Sequence, residues 1–185
     1  PASRLAQPIR LLITAGPTHE PIDAVRYIGN RSSGRLGIAL ADAAARSTTR
    51  AWRVTLLLGP TSVTPPPWND SDVTVRRLVM AAAVADYRPR SLPAGQQRAQ
   101  TKLKRGDGPI TLELESTPDL LAAAAARKRP GQVFIGFALE PAARLMESAR
   151  GKLERKRLDL IVANPLETMD SPLIEATVLG PRGVV

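Results

Sequence analysis

The sequence predicts an α/β domain built on a doubly wound, mainly parallel, Rossmann-like sheet with helices on both faces. Three observations predict it. Short apolar runs alternate with alanine- and leucine-rich helical segments along the chain. The first run, Ile9–Thr14, ends in Ala15-Gly16-Pro17, which marks a buried strand meeting a turn. Ser32-Ser33-Gly34 then opens a helix, so strand, glycine turn and helix start follow in the order an anion site requires.

At 185 residues the chain suits one domain over 9–185, behind a tail or linker at Pro1–Pro8. After the first strand, a helix is expected over Leu36–Arg46 (LGIALADAAAR), with Ser32 and Ser33 available as caps. Arg53–Leu58 reads as a second strand stopped by Gly59-Pro60, and Thr61–Asp72 as a proline-rich loop. Val73–Arg77 alternates like another strand. Val79–Ala85 reads as a further buried strand and its exit. Pro89–Gly108 is a polar, basic loop, and Ile110–Glu115 alternates with period two. Pro118–Lys128 is expected as a helix with proline at its first position. A strand over Gln132–Phe137, a helix over Ala142–Arg157, and strands at Leu160–Val162 and Glu175–Leu179 complete the pattern.

One junction conflicts with this fold. Val73–Leu78 and Val79–Ala83 are both strand-like yet abut, whereas parallel neighbours need a crossover of about a dozen or more residues. Either one long strand runs through, or a helical segment is missing between Leu78 and Val79. The second reading is preferred, and it predicts a chain break there.

Composition narrows the chemistry. Cysteine is absent, which removes disulfides, thiolate metal sites and thiol nucleophiles, and fits a reducing, cytoplasmic setting. The one histidine, His19, leaves little room for a histidine zinc site or a Ser-His-Asp triad. No apolar run has the length to span a bilayer, so no membrane partner is expected. The net charge of +9 suits a polyanionic partner, but the few aromatics do not interleave with the basic residues. Nucleic acid is therefore not expected as a partner, and solvated arginines explain much of the charge.

The loop after the first strand is not a dinucleotide fingerprint. G-x-G-x-x-G is absent, and the second strand ends Leu58-Gly59-Pro60 with no acid to accept ribose hydroxyls. An NAD(P)-dependent reductase stays as the lesser alternative. Further on, Met80, Ala81 and Ala82 end a buried strand where backbone can approach a ligand closely. Lys152 and Lys156 stand four apart and share one helix face.

Taken together, TAGPT, EPID, VRYI, Asn30 and SSG, then AAAVADYRP, KLKR, TPDLL, GFALE and LDLIVANP resemble phosphopantothenate–cysteine ligase, also called phosphopantothenoylcysteine synthetase. The likeness runs from Ile9 to about Leu179 and is to the bacterial, CTP-using branch. The resemblance implies that the carboxylate of 4′-phosphopantothenate attacks the nucleotide to give an acyl-cytidylate and pyrophosphate, and that cysteine then displaces the nucleotide in a step of coenzyme A biosynthesis. It implies CTP as co-substrate, Mg²⁺ bound through the triphosphate, a homodimer, and a decarboxylase partner domain or protein.

Carried over onto this sequence, the resemblance gives Asn30 and Lys102 catalytic roles. Arg26, Asn30 and Ala83 would contact phosphopantothenate, Arg26 having bracing against Asp23 as its equal alternative. Gly16, Ser32 and Gly34 would meet phosphates. Met80, Ala81, Ala82, Asp86, Lys102, Pro118, Asp119, Leu120, Leu121, Phe137, Lys152 and Lys156 would bind the nucleotide. No residue is expected to bind a metal directly, and His19 receives no role.

Overall fold

The computed structural model of the protein describes residues 7–66, the backbone of 77–80, and residues 83–90, 102–169, 171 and 173–185. In chain order the elements are β1 (Ile9–Ala15), β2 (His19–Pro21), β3 (Tyr27–Gly29), α1 (Arg35–Ala45), β4 (Trp52–Leu58), β5 (Arg77–Met80) and β6 (Tyr87–Pro89). There follow β7 (Leu114–Ser116), α2 (Leu120–Ala125), β8 (Val133–Glu140), α3 (Ala142–Arg155), β9 (Leu160–Pro165), β10 (Thr177–Gly180) and β11 (Gly183–Val184).

One mixed sheet organises the molecule, in the order β11-β10-β9-β8-β5-β1-β4. β1 runs parallel to β4 and β5, β5 to β8, and β8 to β9, while β10 and β11 turn antiparallel at one edge. The chain thus has a mixed α/β fold.

Both faces of β1 are covered, because successive residues of a strand point to opposite sides. Leu11 and Ile13 pack with Ala41 of α1, while Leu12 packs against the cluster that α2 and α3 build with β8 and β9. α3 buries Leu145, Ala149 and Leu153, an i, i+4, i+8 stripe. α1 lies unusually close to the sheet. A Cβ at Gly37 would stand 2.3 Å from the Ala15 Cβ, so only glycine permits this approach.

Several expectations need correction. Arg77–Met80 runs through the Leu78–Val79 junction as one strand, paired to β1 through Leu12↔Leu78 and Ile13↔Val79, with no chain break between them. The strand expected over Val73–Arg77 otherwise lies outside the described residues.

Ile110–Glu115 is not a strand throughout. Only Leu114–Ser116 pairs, with Tyr87–Pro89 in a separate two-stranded sheet, and Ile110 is exposed. The helix expected from Pro118 begins at Leu120, with Asp119 as its N-cap rather than proline at its first position. The Asp119 carboxylate accepts the Ala122 N–H at 3.0 Å, which fixes the start there. The hairpin formed by β2 and β3 was not anticipated; its strands are too short for periodicity to show.

Candidate active site

The parallel strands β1, β5, β8 and β9 end on one side of the sheet, and an open cleft of about 1050 Å³ lies beyond those ends. Backbone groups at strand ends and helix starts are unpaired there, which is why open α/β sheets hold ligands at this edge.

One wall is the segment from Asn30 to Gly37. The chain enters α1 through Gly34, whose φ of 74° is left-handed, and a Cβ there would stand 3.2 Å from the Gly16 amide nitrogen. Gly16 itself has a φ of 83°. It therefore supports the wall from behind rather than lining the cleft. α1 has no side-chain cap bond and no acidic residue in its first turn, so the expected serine caps are not formed. Ser33 instead spends its hydroxyl on a long 3.4 Å contact from the Arg35 N–H and its carbonyl on the Thr61 hydroxyl at 2.6 Å. The N–H groups of Leu36 and Gly37 lack helical acceptors, and both residues line the cleft.

The floor is the segment Ala83–Asp86, pinned on three sides. Ala83 bridges Pro17, its N–H donating to the Gly16 carbonyl at 3.0 Å. The Thr18 hydroxyl accepts the Ala85 N–H at 2.8 Å, and the Thr117 hydroxyl donates to the Ala85 carbonyl at 2.5 Å. Asn30 closes the third side, its Nδ2 donating to the Val84 carbonyl at 3.0 Å. One N–H of the amide and its carbonyl oxygen remain for a ligand.

The opposite wall is made of side chains. Phe137 and Leu139 of β8, Pro118–Leu121 at the start of α2, and Lys152, Arg155 and Lys156 around the end of α3 all face the cleft. Lys152 and Lys156 share a face, as their spacing predicts, but each is already paired. The Lys152 Nζ lies 2.9 Å from Glu140 and the Lys156 Nζ 2.9 Å from Asp119. The Lys152 ammonium holds the Glu140 carboxyl below its ordinary range, against the opposing effect of burial. For Asp119, burial pushes upward, but the Ala122 N–H and the Lys156 ammonium outweigh it and the net shift is downward.

The cleft thus brings together Asn30, Ser32, Gly34, Ala83, Asp86, Pro118, Asp119, Leu120, Leu121, Phe137, Lys152 and Lys156. Met80 ends β5 at the edge of this region, and Ala81 and Ala82 lie outside the described residues. Arg26 does not line the cleft. It braces Asp23, with its Nε 2.9 Å from the carboxylate, so of its two readings the structure forms the brace. Lys102 also stands off the lining, in the segment that Asp23 and Arg26 hold at Leu103. Among the described residues no group of three or more His, Asp or Glu side chains could cage a metal ion.

The sequence reading missed Arg155, Asn164, Thr18 and Thr117. Arg155 reads as a solvated helix charge, and the two threonines, though they lie in TAGPT and TPDLL, act through hydroxyl bonds to backbone that leave no periodic trace. Asn164 likewise sits in a motif already singled out, LDLIVANP, next to the last residue of β9 and paired with Leu139.

Comparison with known proteins places this cleft in context. The model of the DNA/pantothenate metabolism flavoprotein C-terminal domain matches residues 6–77 and 68–179, two stretches that overlap just before the Leu78–Val79 junction. A cysteine/cysteine sulfinic acid decarboxylase from an unknown prokaryotic organism is 40% identical over 175 residues, covering 85% of this chain and 46% of that protein. The coenzyme A biosynthesis bifunctional protein CoaBC of Escherichia coli is 39% identical over 172 residues, covering 84% of this chain and 41% of its own length. The chain therefore spans less than half the length of these relatives. The crystal structure of the C-terminal domain of a CoaBC superposes with a TM-score of 0.70 at 31% identity, covering 96% of this chain and 84% of that one.

Proposed function

The chain belongs to the DNA/pantothenate metabolism flavoprotein C-terminal domain family, and from that premise we propose that it is a CTP-dependent phosphopantothenate–cysteine ligase acting in coenzyme A biosynthesis. One observation carries the reading most directly. The uncapped start of α1 and the lysines around the end of α3 open from opposite sides into one cleft, an arrangement suited to the phosphates of a nucleoside triphosphate lying beside a second, phosphorylated substrate.

In the first step a carboxylate oxygen of 4′-phosphopantothenate bonds to the α-phosphorus of CTP. The bond from that phosphorus to the β-phosphate oxygen breaks, and pyrophosphate leaves. In the second step the amine of cysteine attacks the acyl carbon, the bond to the nucleotide oxygen breaks, and CMP leaves as the amine gives up a proton. Neither step needs a strong protein base. Both need positioning and stabilisation of moving negative charge.

The residues divide that work. Ser32, Gly34 and the N–H groups of α1 hold phosphates, with Gly16 behind them. Lys152 and Lys156 exchange Glu140 and Asp119 for phosphate oxygens. Phe137, Pro118–Leu121 and Met80–Ala82 frame the base and ribose, and Asp86 accepts from ribose hydroxyls. Ala83 stands on the phosphopantothenate side, where Asn30 donates to the acyl oxygen, and Arg26 acts from behind the cleft through its brace on Asp23. Lys102 neutralises charge on the departing pyrophosphate. Mg²⁺, bound through the triphosphate, would offset part of its charge. The described residues offer no group of three or more carboxylates or histidines to cage the ion, so it would be carried by phosphate oxygens and water.

We read the sheet as doubly wound and Rossmann-like, the protein as a cytoplasmic homodimer, and a flavin decarboxylase as its partner domain or protein. The test is incubation with phosphopantothenate, cysteine, Mg²⁺ and either CTP or ATP, followed by mass spectrometry. CTP should yield phosphopantothenoylcysteine, CMP and pyrophosphate faster than ATP yields its equivalents. No amide product with either nucleotide would overturn the ligase reading, and equal or faster turnover with ATP would overturn the CTP assignment.

A further inference from the structure

We propose that Asp23 is a positioning residue for Lys102: with Arg26 it holds the Leu103 peptide by both its N–H and its carbonyl, and so fixes the start of the basic segment 102–105. The role of Lys102 rests on the ligase reading; the contact itself does not.

Asp23 is the one buried charged residue among those described, 3% exposed. A buried carboxylate is costly unless its oxygens are satisfied, and here the two oxygens serve different purposes. Oδ1 accepts the N–H groups of Val25 and Arg26 at 2.8 and 2.7 Å. Those bonds close the turn between β2 and β3, an ordinary task for aspartate. Oδ2 faces away from the turn. It accepts from the Arg26 guanidinium, with Nε at 2.9 Å, and from the Leu103 N–H at 3.1 Å. The same guanidinium donates from Nη2 to the Leu103 carbonyl at 2.7 Å. A local turn has no use for those last two bonds.

What they hold is otherwise loosely attached. Residues 102–113 form neither helix nor strand. Among described residues 102–112, Leu103 is the one hydrogen-bonded to a distant part of the chain; Glu113, at the far end, accepts the Arg90 N–H at 2.9 Å. Lys102, Lys104 and Arg105 flank the clasped peptide, and three like charges on a free segment would spread through solvent. The Asp23–Arg26 pair neutralises its own arginine while tethering the backbone between Lys102 and Lys104.

The test uses Asp23→Asn and Asp23→Ser, alone and combined with Lys102→Gln. Either replacement keeps one oxygen for the turn, and neither can reproduce the second. Faster hydrogen exchange at the Leu103 amide is expected in both. Pyrophosphate release should fall by on the order of 10²-fold, the scale of a misplaced catalytic group, with KM for phosphopantothenate near wild type. In the Lys102→Gln background the Asp23 replacements should cost nothing more, because the group they position is gone. Losses that multiply in the double variants, or unchanged Leu103 exchange in both single variants, would overturn the proposal. A wild-type protein that releases no pyrophosphate would overturn the ligase reading and the Lys102 half with it, while Leu103 exchange still decides whether the clasp exists.

Discussion

The two walls of the cleft prepare for an anion in opposite ways. The α1 wall offers backbone N–H groups at a helix start with no acidic residue and no side-chain cap in its first turn. No side-chain cap and no acidic residue of its own first turn neutralises it, so the positive end of the helix dipole faces the cleft. The α3 wall offers two lysines that already hold carboxylates, Lys152 with Glu140 and Lys156 with Asp119. A ligand gains from that wall only the difference between its own attraction and that of the resident carboxylates. The first wall therefore attracts any phosphate, and the second favours ligands with enough charge to displace two aspartate- or glutamate-type partners. The contrast makes the α3 wall the more selective one.

The largest expected effect lies off both walls and sets the scale for the rest. Lys102→Gln keeps length and polarity but removes the charge. It should cut pyrophosphate and acyl-nucleotide formation by on the order of 10²-fold or more. Asn30→Ala, on the α1 side, should retain part of the pyrophosphate release and lose amide product. Quenched-flow measurement of both products checks the pair, and normal pyrophosphate release by the Lys102 variant would reverse the assignment.

Next comes the α1 wall itself. Gly37→Ala places a methyl against Ala15 and should destabilise the fold by about 1–3 kcal/mol through overpacking. It should also lift the helix start and weaken nucleotide binding, which thermal melting with and without CTP will separate. Lys156→Gln tests the α3 wall. Loss of one charge-assisted contact should weaken CTP by about tenfold and leave the monophosphate almost unaffected, since CMP lacks the charge to displace Asp119. Equal losses for CMP and CTP in calorimetry would break the distinction between the walls.

The smallest effect concerns pH. Glu140 is held below its ordinary 4.5 by Lys152, so its contribution to stability is complete above that value and is lost as pH falls through the depressed folded value. Glu140→Gln should therefore lower the melting temperature at neutral pH, by the equivalent of about 0.2–1 kcal/mol for a partly exposed pair. The gap to wild type should close on acidification. A gap that persists at low pH would show that Glu140 acts by packing rather than charge.

The same contrast explains what was legible in the sequence. The α1 wall is written locally: a strand, a glycine turn and Ser-Ser-Gly lie within residues 9–37, and local order is what periodicity and turn chemistry read. Phe137, Lys152 and Lys156 were legible through their motifs and helix spacing. Their carboxylate partners were not, because Glu140 and Asp119 reach the lysines only once α2, β8 and α3 have packed. Thr18, Thr117 and the Asp23–Leu103 clasp escaped for the same reason, being single polar bonds between distant segments. The Leu78–Val79 junction was legible in part: pairing to β1 and β8 runs through it in Arg77–Met80, while the family model meets the chain there in two separate stretches, 6–77 and 68–179. Proline at 118 likewise suggested a helix start, and the carboxylate of Asp119 moved it inward.

The central claim is that this cleft joins a carboxylate to the α-phosphorus of a nucleotide before cysteine arrives, and the fate of one oxygen tests it. Phosphopantothenate carrying heavy oxygen in its carboxylate should be turned over with CTP and cysteine, and the products resolved by mass spectrometry. Attack at the α-phosphorus leaves a carboxylate oxygen on the nucleotide, so the label should appear in CMP and not in pyrophosphate. Label in inorganic phosphate, accompanied by CDP, would mean an acyl phosphate formed at the γ-position and would contradict the account.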